Sequence, residues 1–366
     1  MNLVRRRRRV LPLVGALAVA SLAMVTPATA SPASRPWLDV GLFAPVPAPG
    51  HPEGIVTNGA GTVYVSTHMD ATETTTEPSR VFAFDRYGAL RREYPVTGQK
   101  PTHAGLLAMA LDGKGRLYVL DRDPSRILRI DPVSGAQTTY ATFSDVPACV
   151  TAGQKNCSAT VADLPAYADY LVFAPDGTLY VTDLRQALIW RVPRGGGAAE
   201  VWFTAPELEG IFGPNGIQFT DNGRTLLFAQ SLHGVMDPAD IPTGHGRLYT
   251  LPINRDGSAG TLDLFWEGAT GQGPDGFAIG ASGNVYVADA LSNALRVLSP
   301  RGQEIASTRA ADAAQEVPFN MPASVAFLGD RVLVTNQAYF GGTAAEQAVL
   351  DVYVADRAKP LFRPWF

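Results

Sequence analysis

Oxygen-bearing side chains occupy four positions that each precede the centre of a short apolar segment by eleven or twelve residues. They are Glu53, Asp169, Asn215 and Asp275. Carboxylate and amide oxygens are the ligands of hard divalent cations, and Ca²⁺ takes about 6–8 of them. Three carboxylates in one narrow space repel one another unless a positive charge lies between them. If the fold brings these side chains together, we expect a divalent metal site.

The apolar segments belong to a repeat that fixes the fold. Six copies are centred on residues 64, 118, 180, 227, 286 and 333, at intervals of 47 to 62 residues. In each copy a third apolar segment follows, and in most copies a turn signal and a fourth segment come after it. This period is typical of a propeller blade. The sequence therefore predicts an all-β fold, a six-bladed β-propeller with four antiparallel strands per blade.

In a propeller the first strand of each blade lines a central channel. The four oxygen-bearing residues then form part of a ring around the channel, and the other two blades present Leu107 and the apolar neighbourhood of Ala323 at this level. The alternative is that Asp-Gly and Asn-Gly pairs before a strand are ordinary turn residues. A metal site is favoured because all four fall on one equivalent position of the repeat.

The N-terminal residues differ from the repeats. Arg5 to Arg9 form a basic block, an apolar run extends to Val25, and Ala28-Thr29-Ala30 resembles a cleavage site. This pattern predicts a bacterial secretory signal over residues 1–30, for either the general or the twin-arginine route. A membrane anchor is the alternative, but the run is short and contains Pro12.

Residues 31–44 read as a leader, and residues 45–366 as the propeller domain. The sequence has 36 Gly, 28 Pro and 46% hydrophobic residues, with no sustained helical period. Cleavage of the predicted signal would leave 25 basic and 34 acidic side chains, a formal charge of −9. This acidic balance argues against a nucleic-acid partner, and we expect no membrane attachment after cleavage.

The two cysteines, Cys149 and Cys157, lie eight positions apart between the second and third blades. In an oxidising compartment they should form a disulfide, because no further Cys or His stands at ligand spacing for a metal. The C-terminal residues 359–366 are rich in apolar side chains. We expect this tail to dock, or one chain end to complete a blade begun by the other.

Three further residues are candidate substrate contacts. His51 and Tyr167 each lie two positions before a proposed ligand, and His103 precedes the inner strand of the second blade. These positions could reach a substrate from the rim of the channel. The alternative is that each is an ordinary loop residue.

The motifs Pro52-Glu53-Gly54, Pro214-Asn215-Gly216-Ile217 and Pro274-Asp275-Gly276 resemble the metal-binding motifs of the SMP-30/gluconolactonase/LRE-like family. The resemblance covers about residues 45 to 356. It implies one divalent ion, often Ca²⁺ with Zn²⁺, Mn²⁺ or Mg²⁺ as alternatives, held directly by Glu53, Asn215 and Asp275. Asp169 stands where the family commonly has Asn.

The resemblance also implies hydrolysis of a lactone or ester, with the ion polarising the carbonyl oxygen and Asp275 acting as general base or proton shuttle. The predicted protein is a secreted monomer with a small-molecule substrate. Two alternatives stay open. The same metal ligands could serve a phosphotriesterase-type hydrolase, or the propeller could be a secreted binding module whose ion is structural.

Overall fold

The structure is a computed structural model that describes residues 35–69, 77–100, 104–151, 153–159, 164–220, 223–309 and 315–366. Its strands form six sheets, each with four antiparallel strands arranged as one blade. The predicted six-bladed β-propeller is therefore confirmed. The sheet of blade two carries one additional two-residue parallel strand at its outer edge, Gly197–Ala198.

From the channel outward, blade one has the strands His51–Thr57, Val63–His68, Arg80–Phe84 and Leu90–Pro95. Blade two has Leu106–Leu111, Leu117–Asp121, Arg126–Ile130 and Gln137–Thr142. Blade three has Ala168–Phe173, Leu179–Asp183, Leu188–Val192 and Glu200–Thr204. Blade four has Pro214–Phe219, Thr225–Gln230, Arg247–Pro252 and Asp263–Glu267. Blade five has Pro274–Ile279, Val285–Asp289, Ala294–Leu298 and Glu304–Arg309. Blade six has Pro322–Leu328, Arg331–Asn336, Ala348–Tyr353 and Val40–Pro45. Two short 3₁₀ helices, Pro206–Leu208 and Pro238–Thr243, lie in connections. No helix in the described ranges is long and apolar enough to cross a membrane.

The outer strand of blade six comes from the opposite end of the chain. Val40–Pro45 pairs antiparallel with Ala348–Tyr353, so the first described strand completes the last blade. The predicted leader, residues 31–44, overlaps this strand, and the predicted signal, residues 1–30, lies outside the described residues.

The core lies between neighbouring sheets, where the alternate apolar residues of each strand meet. Between blades two and three, the fully buried rings of Tyr118 and Phe173 pack edge to face with centroids 5.0 Å apart. Trp190 belongs to the same buried cluster. Edge-to-face aromatic contacts add about 0.5–1.5 kcal/mol to the burial of their apolar area. This packing holds the inner strands at fixed positions around the channel.

The C-terminal tail docks across the channel end that faces the last residues of the inner strands. Arg363 Nη2 donates to the carbonyl of Thr57 at 2.6 Å, and the Gly113 N–H donates to the carbonyl of Pro364 at 2.9 Å. Phe366 packs against Phe173. The expectation that the tail docks is therefore confirmed.

Cys149 and Cys157 form the predicted disulfide. The loop that contains it joins the outer strand of blade two to the inner strand of blade three, and it lies against blade three. There the Val146 N–H donates to Gln186 Oε1 at 2.9 Å, and the Ala159 N–H donates to Thr204 Oγ1 at 2.8 Å.

We expect the double substitution Cys149→Ser with Cys157→Ser to lower the free energy of unfolding by about 2–3 kcal/mol, since the bridge restricts a short loop of the unfolded chain. Urea unfolding of the oxidised wild type and the variant measures the difference. Reductant should destabilise the wild type and leave the variant unchanged. Equal stabilities of oxidised wild type and variant would contradict the prediction.

Candidate metal and active site

The ring positions are set by a β-bulge that recurs in every blade. The pairing of each inner strand with the second strand is irregular at one place. There an advance of three residues along the inner strand lies opposite an advance of two residues along the second strand. A bulge adds one residue and redirects a side chain. The second residue of each bulged segment is the predicted ring residue, and the six are Glu53, Leu107, Asp169, Asn215, Asp275 and Ala323.

All four predicted metal ligands line one cavity of about 360 Å³, namely Glu53, Asp169, Asn215 and Asp275. The first three are buried, with 3–4% of their surface exposed, whereas Asp275 is partly exposed. Leu107, at the equivalent position of blade two, lines the same cavity. The structure thus brings together side chains that lie more than two hundred residues apart in the chain.

Buried hydroxyl groups connect the bulge to the next blade in blades one, three and six. Ser66 Oγ accepts the Gly54 N–H of its own blade at 2.8 Å and donates to the carbonyl of Leu107 in the following blade at 2.7 Å. Equivalent hydroxyls donate to the backbone carbonyls of two ring residues, Thr182 to Asn215 at 2.7 Å and Thr335 to Glu53 at 2.6 Å. These bonds satisfy the backbone groups that the bulge leaves unpaired and fix the spacing between ring residues.

The glycine after three of the ring residues is required by close contact between blades. A Cβ at Gly54 would lie 2.5 Å from the Leu107 carbonyl oxygen, and one at Gly216 would lie 2.6 Å from the Asp275 carbonyl oxygen. A Cβ at Gly276 would overlap the Tyr170 hydroxyl. These residues lie inside strands, so the alternative that the motifs are turn residues is wrong.

We expect Gly216→Ala to destabilise the protein by about 1–3 kcal/mol, because the new methyl group forces the backbones of blades four and five apart. Gly59→Ala is the matched control, since a Cβ there meets nothing within 4 Å, and it should change stability by less than about 0.5 kcal/mol. Chemical denaturation measures both. Equal effects of the two substitutions would contradict the packing argument.

The cavity floor strongly disfavours ionised carboxyl groups. Burial, then the charges of Asp275 and Asp169, raise the pKa of Glu53 well above its ordinary value. Burial, then Asp275 and Asp183, do the same to the pKa of Asp169. Burial raises the pKa of Asp275 to about 8, and its interactions with the Asn215 amide and the Gly276 N–H only partly oppose this. Three such groups favour either protons or a cation between them.

The donor set fits a hard divalent cation. Asn215 Oδ1 and Asp275 Oδ1 are buried and accept no hydrogen bond from the described residues. Asn215 Nδ2 donates to Ser231 Oγ at 3.0 Å, which leaves the amide oxygen for another partner. As the side chains stand, no group of three His, Cys, Asp or Glu in the described ranges has the arrangement of a formed metal site. The fit therefore rests on the oxygen atoms that these side chains offer as metal ligands, and on the two buried oxygens, Asn215 Oδ1 and Asp275 Oδ1, that accept no hydrogen bond from the described residues.

Tyr167, a predicted substrate contact, lines the cavity, and its hydroxyl is 2.8 Å from His68 Nε2. His68 also lines the cavity. His68 was not among the predicted substrate contacts, although it ends the second strand of blade one, at the mouth of the channel. Burial raises the pKa of the Tyr167 hydroxyl, so it stays protonated.

The structure does not place either of the other two predicted substrate contacts in the cavity lining. His51 is buried and is not among the described lining residues, and its Nδ1 is 2.7 Å from the carbonyl of Gln337 in blade six. Its position therefore gives no support to a substrate contact. His103 lies outside the described residues.

Tyr170 forms the floor beneath the ring. It follows Asp169, where three other motifs have glycine, and its side chain crosses from blade three to blade six. Its hydroxyl is bonded to Ser324 Oγ and donates to the Ala323 carbonyl at 3.3 Å. Burial, then the charges of Asp275 and Glu53, raise its pKa well above the ordinary value. The signal for this residue was the loss of a glycine from the repeat.

Residues 171–335 match the model of the SMP-30/Gluconolactonase/LRE-like region. Comparison with the curated proteins gives no match.

Among solved structures, a calcium-binding protein, regucalcin, from Agrobacterium tumefaciens is 18% identical, with a TM-score of 0.59 over 89% of this chain and 99% of that one. A gluconolactonase from Xanthomonas campestris is 16% identical, with a TM-score of 0.54 over 83% and 86%. Virginiamycin B lyase from Staphylococcus aureus is 13% identical, with a TM-score of 0.51 over 86% and 99%. Identities this low show the shared fold alone, and the three names span different chemistries.

The three ligand motifs predicted a resemblance to one family, and the match of the family model confirms it. The chain carries an SMP-30/gluconolactonase/LRE-like region over residues 171–335.

Proposed function

We propose that the protein is a metal-dependent hydrolase that opens a lactone ring. The observation that carries this proposal is the meeting of Glu53, Asp169, Asn215 and Asp275 in one largely buried cavity. Such a set of oxygen donors suits Ca²⁺ best, and Zn²⁺, Mn²⁺ or Mg²⁺ are alternatives. The family match supports lactone chemistry.

Glu53, Asn215 and Asp275 would hold the ion, and Asp169 would complete or adjust the site. When bound, the ion would polarise the substrate carbonyl and stabilise the negative charge that develops on its oxygen. Asp275 is partly exposed to the cavity, so its carboxylate can also take a proton from the attacking water. The Ser231 hydroxyl orients the Asn215 amide so that its oxygen remains an acceptor.

The substrate reaches the carboxyl groups from the face that carries Tyr167 and His68. On the opposite side, Tyr170 spans the channel and the C-terminal tail covers its far end. A substrate enclosed in this way is separated from bulk water, which strengthens the electrostatic interactions in the cavity. A small molecule fits this space, and we propose that the protein acts as a monomer without nucleic-acid or membrane partners.

We also propose export, since a disulfide is typical of an oxidising compartment. The signal over residues 1–30 stays a prediction. N-terminal sequencing of the protein from the culture medium of a bacterial host tests it. A first residue at Ser31 is expected, and retention of the first thirty residues on an intracellular product would contradict it.

Elemental analysis followed by turnover of a lactone panel tests the proposed function. We expect a bound divalent ion, loss of lactone hydrolysis in EGTA and recovery on addition of Ca²⁺. A phosphotriester in the same panel distinguishes the phosphotriesterase alternative. A metal-free preparation with full activity would contradict the metal mechanism. A metal-bound protein that consumes neither substrate class would favour the binding module.

A further inference from the structure

Two arginines on the cavity wall have no anionic partner in the described part of the chain. Arg122 and Arg185 line the same cavity as the carboxyl groups, and both are partly exposed. Neither guanidinium donates a hydrogen bond or forms an ion pair with a described residue. Both lie against the ring of Tyr167, with Cζ at 5.3 Å and 4.9 Å from its centroid.

Eight other arginines of the described residues bind a carboxylate. The buried pair of Arg296 and Asp289 is one example. The other arginines that form ion pairs in the described ranges are Arg80, Arg91, Arg116, Arg126, Arg191, Arg247 and Arg331. An arginine that is only stacked on an aromatic ring keeps its hydrogen-bond donors for another acceptor.

The two guanidiniums come from the corresponding loops of adjoining blades. Arg122 directly follows the second strand of blade two, and Arg185 follows that of blade three by two residues. Because both lie close to one ring, their Cζ atoms are no more than about 10 Å apart. The planar donors of arginine match the two oxygens of a carboxylate.

The position two residues after the second strand, which Arg185 occupies in blade three, is apolar in blades four and five. It holds Leu232 and Leu291 there, and both line the cavity. Phe212 and Met321 also line it. The cavity wall thus carries guanidiniums on blades two and three and large apolar side chains on blades four and five.

The two guanidiniums bring positive charge to the wall of the cavity, and no carboxylate of the described residues forms an ion pair with either of them. A substrate with an anionic group would supply that partner.

We propose that Arg122 and Arg185 bind an anionic oxygen group of the substrate, and that Leu232 and Leu291 contact its apolar part. The substrate class is then an ester or lactone with an apolar body and one carboxylate, instead of a neutral polyhydroxylated lactone. This inference rests on the proposed function for the bond that is cleaved, but the binding of the anion does not require cleavage.

Calorimetric titration of the Ca²⁺-loaded protein with 4-phenylbutyrate and with its neutral amide tests the anion site directly. We expect the carboxylate to bind at least about tenfold more tightly than the amide, and Arg122→Gln and Arg185→Gln each to weaken it about tenfold. Arg185→Lys should retain part of the affinity because it keeps the charge. Arg92→Gln is the matched control, since Arg92 also stacks on a tyrosine, Tyr94 at 4.8 Å, but on the outer part of blade one. The melting temperature of each variant verifies folding.

Hydrolysis of two esters of equal length gives the second measurement. We expect kcat/KM for mono-4-nitrophenyl glutarate to exceed that for 4-nitrophenyl valerate, and each glutamine variant to reduce this ratio about tenfold. Equal affinities for carboxylate and amide, or a ratio unaffected by both variants, would overturn the inference while leaving hydrolysis intact. Binding of 4-phenylbutyrate that depends on both arginines, without turnover of any ester, would support the inference and count against the proposed function.

Discussion

Asp275→Asn lowers kcat/KM for lactone hydrolysis by about 10³-fold or more while the propeller stays folded. The substitution keeps the shape of the side chain, but it removes the charge of a proposed metal ligand, which is also the group proposed to accept the proton of water. General-base catalysis alone contributes about 10²–10⁴-fold, and loss of a ligand weakens the metal as well. Steady-state hydrolysis of the best lactone in the panel, with saturating Ca²⁺, measures the change.

Asp263→Asn is the matched control, because Asp263 is exposed on the outer strand of blade four. It should retain wild-type activity. A decrease in kcat/KM of less than tenfold in Asp275→Asn would contradict both roles proposed for Asp275. Loss of activity with a lowered melting temperature would indicate damage to the fold, so thermal unfolding is measured beside the kinetics.

The metal-free protein should lose stability as the pH rises from about 4 to about 8. The pKa of Asp275 is raised to about 8 in the folded state by burial, against about 3.9 for an unfolded chain. Between these values the folded state binds more protons than the unfolded state, so the free energy of unfolding falls with increasing pH. The raised pKa values of Glu53 and Asp169 act in the same direction. Melting temperatures in EDTA across this range measure the trend.

Calcium should reverse this trend if the proposed site holds it, since the ion would bind the ionised carboxylates and stabilise the folded state in proportion to its occupancy. The increase in melting temperature on addition of Ca²⁺ should be larger near pH 8 than near pH 5. In Asp275→Asn the dependence on pH should be weaker. A metal-free protein that becomes more stable toward pH 8 would contradict the burial of these groups.

The period of the repeat was enough to predict the fold and the ring position. Aligning the copies on Tyr64 and Tyr286 places Glu53 and Asp275 at equivalent sites, because every blade repeats the same bulge. Local patterns carry this information, since strand length and turn residues recur in each copy. The physical reason for the glycine motifs was not accessible from the sequence, because it lies in contacts between blades.

Residues whose role depends on a distant partner were harder to predict. The hydroxyl of Tyr170 is bonded to Ser324, more than a hundred and fifty residues away. The residues of a single repeat do not predict this contact between blades three and six. The proposed role of Arg122 and Arg185 depends on the fold, which places both beside the ring of Tyr167. His51 shows the same dependence, since its position before Glu53 suggested the rim and its ring is bonded to the backbone of Gln337 in blade six.

The pairing of Val40–Pro45 with Ala348–Tyr353 has a consequence for synthesis of the protein. Until the ribosome has made the sixth repeat, the strand Val40–Pro45 has no partner strand. The ring of blades therefore cannot close between blades one and six. A prematurely terminated polypeptide therefore exposes unpaired strand edges that invite aggregation. Truncated products should therefore be cleared by proteases, and the proposed activity should arise only after the sixth blade has been made.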